Sequence, residues 1–267
     1  MRIRVAHSTI YRYEPPAAGV IQVLRLTPRN HEGQYVQHWR IDVAPDTRLA
    51  AHEDAFGNLT HVFTTEGPLE ELRVEVDGEV ETQNTDGVVR GTVERFPPAL
   101  FLRDTALTQA DAAIRDFAQQ ARAQSGGEVL ANLHALLDRE HEVIACDMET
   151  SHGAKNAAHA FAAKRGTAED LAHIFLGAAR CLGIPARYVA GYLQRSDAAE
   201  PDARHAWAEA HVPDLGWVGF DPAQGQCPID AHVRVAIGLD SLGAAAVRGT
   251  RYGTGAETLD VAIKVDQ

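Results

Sequence analysis

A chain of 267 residues with 45% hydrophobic and 23% charged residues has the composition of a soluble globular protein, long enough for one large domain or two modest ones. Its formal charge of −12 argues against nucleic acid or an anionic membrane as the main partner. Three widely spaced cysteines (Cys146, Cys181, Cys227) are too few for a disulfide framework and point to a reducing cytoplasm, and no run resembles a signal-peptide core or a membrane span.

Residues 1–96 alternate as strands do. Ile3 and Val5 alternate with Arg2 and Arg4, and Val36, Trp39, Ile41 and Val43 mark a second run. Gly57-Asn58 in "DAFGNLTHVFT" and Asp77-Gly78 in "LRVEVDGEVET" read as turns between strands. This pattern predicts an antiparallel, sandwich-like N-terminal domain. "RFPPALFLRDT" reads as a linker, and residues 97–267 as a second domain. There, Thr108–Gln124 and Val129–Leu137 have helical spacing, and "SHGAKNAAHAFAAKRG" holds a short helix ending at Gly166. Strands return in "ARYVAGYL", "HAWAEAHV", "GWVGFD", "HVRVAIG" and "ETLDVAIKV". Helices packed on an antiparallel sheet make the fold class α+β.

The segment "RGTAEDLAHIFLGAARCLGIP" predicts a buried helix. Thr167 followed by Asp170 resembles a capping box, Glu169 and Asp170 suit the helix N-terminus, and Gly183 with Pro185 end the helix. Ala168 falls at its first turn, where free backbone N–H groups favour an oxyanion or a thiolate. A capped core helix without chemistry is the plainer reading of the same residues from local sequence alone.

"RHAWAEAHVPDLGWVGFDP" predicts a hairpin. Folded about Pro213, it sets His205 opposite Asp221, Trp207 opposite Gly219 and Glu209 opposite Trp217. A carboxylate there fixes an imidazole tautomer and stabilises its charged form, although any sheet can hold a His–Asp pair.

"HAWAEAHVPDLGWVGFDP" and "LGIPARYVAGYL" resemble the hallmarks of the bacterial transglutaminase-like family, whose core is related to papain-type cysteine enzymes. "LRLTPRNHEGQYVQHWRIDV" and "DAFGNLTHVF" resemble the β-rich domain that accompanies it. The resemblance implies a helix opening with Gly-Val-Cys-Gln-Asp, the cysteine being the nucleophile. Here Gly166-Thr167-Ala168-Glu169-Asp170 stands in those places. It further implies His205 as the base and Asp221 as the orienting acid, so two members of a triad remain and the nucleophile position holds Ala168.

Three readings follow. The chain is an inactive relative whose cleft binds a peptide, protein or small amide ligand; or an active amide hydrolase or acyl transferase represented by a Cys-to-Ala variant; or a structural interaction module. Thr167 and Glu169 also depart from the family motif, which favours natural divergence over a single replacement. Tyr188, Tyr192, Trp207 and Glu169 are candidate ligand-binding residues, with strand packing and helix-end electrostatics as their plain alternatives. Cys181 lies thirteen positions along the helix from Ala168, about 20 Å away, and Cys227 follows Asp221 by six residues. Thirteen histidines show no zinc-type spacing, so no metal or cofactor is expected; His152 with His159, or His173 with His205, converge only through the fold.

Overall fold

In a computed structural model, which describes residues 1–147, 156–195 and 204–267, the chain begins with β1 (Arg2–Thr27), β2 (Gln34–Ala44), β3 (Ala50–Glu53) and β4 (Leu59–Thr82). A short β5 (Val88–Val89) and a 3-10 turn at Pro98–Leu102 lead to α1 (Ala112–Ser125) and α2 (Val129–Val143). Then come β6 (Ala145–Cys146), α3 (Ala157–Ala163), β7 (Arg165–Gly166) and α4 (Ala168–Cys181). The sheet strands β8 (Ala186–Leu193), β9 (Arg204–Val212), β10 (Gly216–Phe220) and β11 (His232–Gly238) follow, and β12 (Val247–Tyr252) and β13 (Ala256–Asp266) end the chain. The fold is mixed, with helices and antiparallel sheets, as the α+β pattern implies.

The N-terminal part is one six-stranded sheet, built on two long strands. β1 and β4 pair from Arg2–Glu81 to Thr27–Leu59, while β13 and β12 take successive stretches of β1, and β2 and β3 successive stretches of β4. Along β1 the buried residues are odd-numbered from Ile3 to Tyr13 and even-numbered from Val20 to Leu26. The register shifts between Arg12 and Gly19 account for this, because one extra residue moves every later side chain to the opposite face. A bulge between Val36 and His38 likewise brings Val36 onto the face of Trp39, Ile41 and Val43.

Two sequence expectations change here. Asp77-Gly78 is no turn but the interior of β4, with Gly78 opposite Trp39; a Cβ there would lie 2.1 Å from the indole Cε3. Glycine is needed for the ring to lie across the strand, and Gly78→Ala is expected to lower the unfolding free energy by about 1–3 kcal/mol in urea titration. Gly57, by contrast, does turn the chain, at φ +85. Second, β13, expected with the core, hydrogen-bonds to β1; so does β12, where the Gly-rich "VRGTRYGTGAE" reads from sequence as a flexible loop; and β5 joins the core sheet beside β10. The boundary at 96/97 therefore marks a change of pattern along the chain without separating the two sheets.

The core sheet runs β11-β8-β9-β10-β5, and α4 packs on it. Ala206, Ala208 and Ala210 keep β9 thin beneath the helix, whose Leu171, Ile174, Phe175 and Leu176 are fully buried, each contributing roughly 1.5–3 kcal/mol. The linker is anchored rather than loose. Phe101 packs edge-on against Trp217 at 5.1 Å, and buried Arg180 donates to the carbonyls of Phe101, Ala186 and Leu239.

The outer edge of β11 is closed by side chains of the N-terminal sheet. Gln34 donates to Arg234 O and accepts from Arg234 N; Asn58 does the same with Ile237 O and N, at 2.8–2.9 Å. Each carboxamide supplies the donor and the acceptor that a further strand would have offered, so the backbone groups it meets are not buried unpaired.

Candidate active site

The first turn of α4 is built by its own sequence. Thr167 Oγ1 accepts from Asp170 N, and Asp170 Oδ2 accepts from Thr167 N at 3.0 Å, completing the capping box. A Cβ on Gly166 would lie 2.6 Å from Asp170 Cβ, so glycine is needed for the chain to pass this close to the helix tip. The box takes the N–H groups of Thr167 and Asp170. Those of Ala168 and Glu169 remain at the positive end of the helix, beside a buried alanine methyl.

The hairpin opposite has the expected faces but a different register. The pairs Val212–Gly216, His211–Trp217 and Glu209–Gly219 centre it on Asp214, not on Pro213. Asp214 and Gly216 take φ values of +66 and +86, which gives a three-residue turn in place of the assumed one centred on proline. The pairing moves by two, an even number, so His205 and Asp221 still share a face, now as diagonal neighbours. His205 Nε2 stands 2.5 Å from Asp221 Oδ2, with both side chains wholly buried.

A third residue, which the sequence did not point to, joins them. His232 Nε2 lies 3.0 Å from the same Asp221 Oδ2, and its Nδ1 accepts the Ile229 N–H at 3.1 Å. An imidazole nitrogen that accepts carries no proton, so His232 holds its proton on Nε2 and donates it to Asp221. Nothing in residue spacing signals this partner, because His232 arrives from a different strand. Asp221 Oδ1 accepts from Gln224 N at 3.2 Å. Burial pushes the Asp221 carboxyl up, but His205 and then His232 outweigh it and hold it down at about 2. It is a carboxylate, and His205 donates to it from Nε2. The other nitrogen, His205 Nδ1, is buried with no partner among the described residues, and in the neutral ring whose proton is on Nε2 it carries the lone pair. Two histidines and an aspartate also match a metal-ligand set. In the tautomer fixed by Ile229, however, the ligating lone pair of His232 is occupied by a proton, so the set reads as a hydrogen-bonded chain.

A cavity of about 450 Å³ lies between the N-terminal sheet and the core. Thr167, Ala168 and Glu169 line it from the helix tip, and Tyr188, Tyr192 and His205 from the core sheet. His7, Tyr11 and Leu26 add a wall from β1. The Tyr192 hydroxyl is 2.9 Å from His7 Nδ1, and Trp39 packs on the Tyr192 ring at 6.4 Å. Burial pushes both tyrosine hydroxyls up, so they serve as neutral hydrogen-bonding groups. Burial also raises the Glu169 carboxyl, against the pull of the Ser241 hydroxyl.

Trp207 does not line the cavity. It packs with Phe101, Val189, Trp217 and Ile237, its ring edge-on to His232 at 5.3 Å. Gly191 makes that position possible, since a Cβ there would lie 2.6 Å from the indole. Cys227 lines a separate groove with Val218 and Leu130, and burial raises the thiols of both Cys227 and Cys181, the opposite of activation. His173 sits away from the cluster, accepting from Ser241 N, and burial lowers it to about 4. His152 lies outside the described residues.

Helix tip, imidazole and carboxylate in this order are the frame of a transglutaminase-like protein, and comparison with known sequences agrees. Residues 3–81 match the bacterial transglutaminase-like N-terminal region, and residues 115–222 match the transglutaminase-like superfamily. The chain thus carries a bacterial transglutaminase-like N-terminal region followed by a transglutaminase-like core. It is 29% identical to the uncharacterized protein ML0607 of Mycobacterium leprae, covering 99% of this chain and 98% of that one. To the uncharacterized protein Rv2569c of Mycobacterium tuberculosis it is 27% identical, covering 99% and 92%. The crystal structure of a protein named as a candidate cysteine protease from Cytophaga hutchinsonii shares the fold, with a TM-score of 0.77 at 17% identity over 100% of this chain and 90% of that one. Among the described residues no helix is long and apolar enough to cross a membrane.

Proposed function

We propose that this chain is a transglutaminase-like protein that has lost acyl-transfer chemistry and uses its cleft to hold a peptide or small amide ligand. The observation that carries this reading is the methyl of Ala168 at the helix tip, lining the same cavity as His205, whose Nδ1 has no partner among the described residues. In an intact triad of this kind a thiolate at that position attacks an amide carbonyl, helix-tip N–H groups hold the oxyanion, and the imidazolium protonates the leaving amine. An alanine methyl has no lone pair to donate, so no acyl-enzyme forms, while the base, its orienting acid and the cavity persist. A volume of about 450 Å³ falls within the range of small-ligand sites. Burial pushes up the thiols of Cys181 and Cys227, so neither replaces the missing nucleophile, and three widely spaced cysteines fit a protein of the cytoplasm.

The test compares the native chain with Ala168→Cys, using an N-acyl amino acid p-nitrophenyl ester and iodoacetamide as probes. Mass spectrometry is expected to show no acylation of the native chain. In the variant it is expected to show acylation of the introduced thiol, with alkylation there at pH 6 roughly tenfold to a hundredfold faster than at Cys181. Turnover by the native chain overturns the loss of chemistry. An unreactive introduced thiol in a folded variant overturns the derivation of the cleft from a catalytic site.

A further inference from the structure

Asp221 Oδ2 accepts two N–H groups, and only one of them belongs to the pair that the hairpin sets up. The second comes from His232, the first residue of β11, paired there with Leu193 of β8. Its ring is fixed on both sides. Ile229 N–H occupies Nδ1, Asp221 takes the proton of Nε2, Trp207 covers its face edge-on, and 2% of the side chain is exposed. The strand carrying it is fixed as well, by the Gln34 and Asn58 carboxamides on its outer edge. The loop just before it is held by the Thr82 hydroxyl, which donates to Asp230 O.

We propose that His232 is a positioning residue of this site: by donating from Nε2 it keeps Asp221 Oδ2 an oriented acceptor, so that His205 keeps its proton on Nε2 and its lone pair on Nδ1. The reasoning is geometric. A buried carboxylate with one partner on Oδ2 turns about its Cβ–Cγ bond, and a turned carboxylate no longer selects one imidazole tautomer. Two donors on the same oxygen, with Gln224 N on the other, remove that freedom. The Nδ1–H tautomer of His205 puts a proton where a base needs a lone pair, and a wrong tautomer is one of the more damaging faults of such a triad. Beyond the β1 residues that wall the cavity, Gln34 and Asn58 thereby link the N-terminal region to Asp221 through β11 and His232.

The inference rests on the catalytic ancestry proposed above, but its main readout does not. Long-range 1H–15N NMR of the histidines in the native chain is expected to show both His205 and His232 as Nε2–H tautomers. In His232→Leu, signal of the Nδ1–H form of His205 is expected to appear, and in the Ala168→Cys background acylation is expected to slow roughly tenfold to a hundredfold. In His232→Gln, whose carboxamide still donates, the Nε2–H tautomer and a rate within about threefold are expected to be retained. A purely structural role lowers stability without moving the tautomer. Unchanged His205 signals in folded His232→Leu overturn the proposal; should that variant not fold, His232→Ala is read in the same way. A tautomer that depends on His232 alongside an inert thiol in Ala168→Cys supports the positioning and removes the functional reading. A reactive thiol in Ala168→Cys that is indifferent to His232 does the reverse.

Discussion

Glu209→Gln is expected to lower the unfolding free energy by about 3–5 kcal/mol, a large share of the roughly 5–15 kcal/mol that holds an ordinary domain. Glu209 Oε1 accepts from Arg234 Nε at 2.6 Å, and Oε2 accepts from Arg187 Nε at 2.6 Å and Arg234 Nη2 at 3.1 Å. Glu209 and Arg187 have wholly buried side chains, and Arg187 also lies over the Trp217 ring at 3.9 Å and donates to Glu94. Removing the one carboxylate between two guanidinium groups leaves Arg187 with Glu94 alone and takes from Arg234 the carboxylate it pairs with, and that loss of compensation in a largely buried site produces the effect. Replacing all three by apolar residues of similar volume (Arg187→Met, Glu209→Leu, Arg234→Met) is expected to restore most of it, because the penalty belongs to the broken network. Urea unfolding followed by circular dichroism compares the two. A Glu209→Gln chain within about 1 kcal/mol of the native one would show the arginines to be solvated. The pH dependence adds a check. Burial raises the Glu209 carboxyl, but Arg234 and Arg187 prevail and bring it to about 2. A carboxyl lowered on folding contributes stability above its unfolded value, and this contribution fades as pH falls toward about 2. The native chain therefore loses stability in acid faster than the triple variant.

What was legible in the sequence is what local chemistry determines. Thr167 and Asp170 cap α4 because a threonine and an aspartate three residues apart can satisfy each other's N–H groups wherever the helix sits. The shared face of His205 and Asp221 was legible because strand parity survives a register error of two, although the error itself followed from choosing proline over the positive-φ Asp214 as the centre of the turn. Gly78 was misread because an Asp-Gly pair serves a turn and a ring crossing equally well, and only the arrival of Trp39 decides between them. Trp207 was open to two readings, cleft lining and strand packing, and it packs, in a seat that Gly191 on the neighbouring strand opens. His232, and the return of β12 and β13 to β1, depend on contacts between distant segments. Such contacts leave no trace in spacing or composition.

Glu140 shows a buried carboxyl in the opposite condition to Glu209. It sits on the face of α2 that carries Leu133, Leu136 and Leu137, is wholly buried, and has neither carboxyl oxygen partnered among the described residues. Burial alone pushes its carboxyl well above the usual carboxylate range, so it is held as the neutral acid. A carboxyl raised on folding binds its proton more tightly in the native state. Stability is then full below the unfolded value of about 4.3 and falls as pH rises toward the native value, by about 1.4 kcal/mol for each pH unit crossed. Glu140→Leu, which supplies apolar volume and removes the unpaired oxygens, is expected to stabilise the protein by at least about 1–3 kcal/mol at pH 7, and by less at pH 5. Glu140→Gln is expected to abolish the pH slope while still leaving polar atoms unpaired, so its gain at pH 5 is smaller than that of leucine. Unfolding free energies at pH 5, 6, 7 and 8 separate these effects. A Glu140→Leu gain that stayed constant across that range would mean the carboxyl does not change its proton affinity on folding. A loss would mean that it has a partner in the native protein.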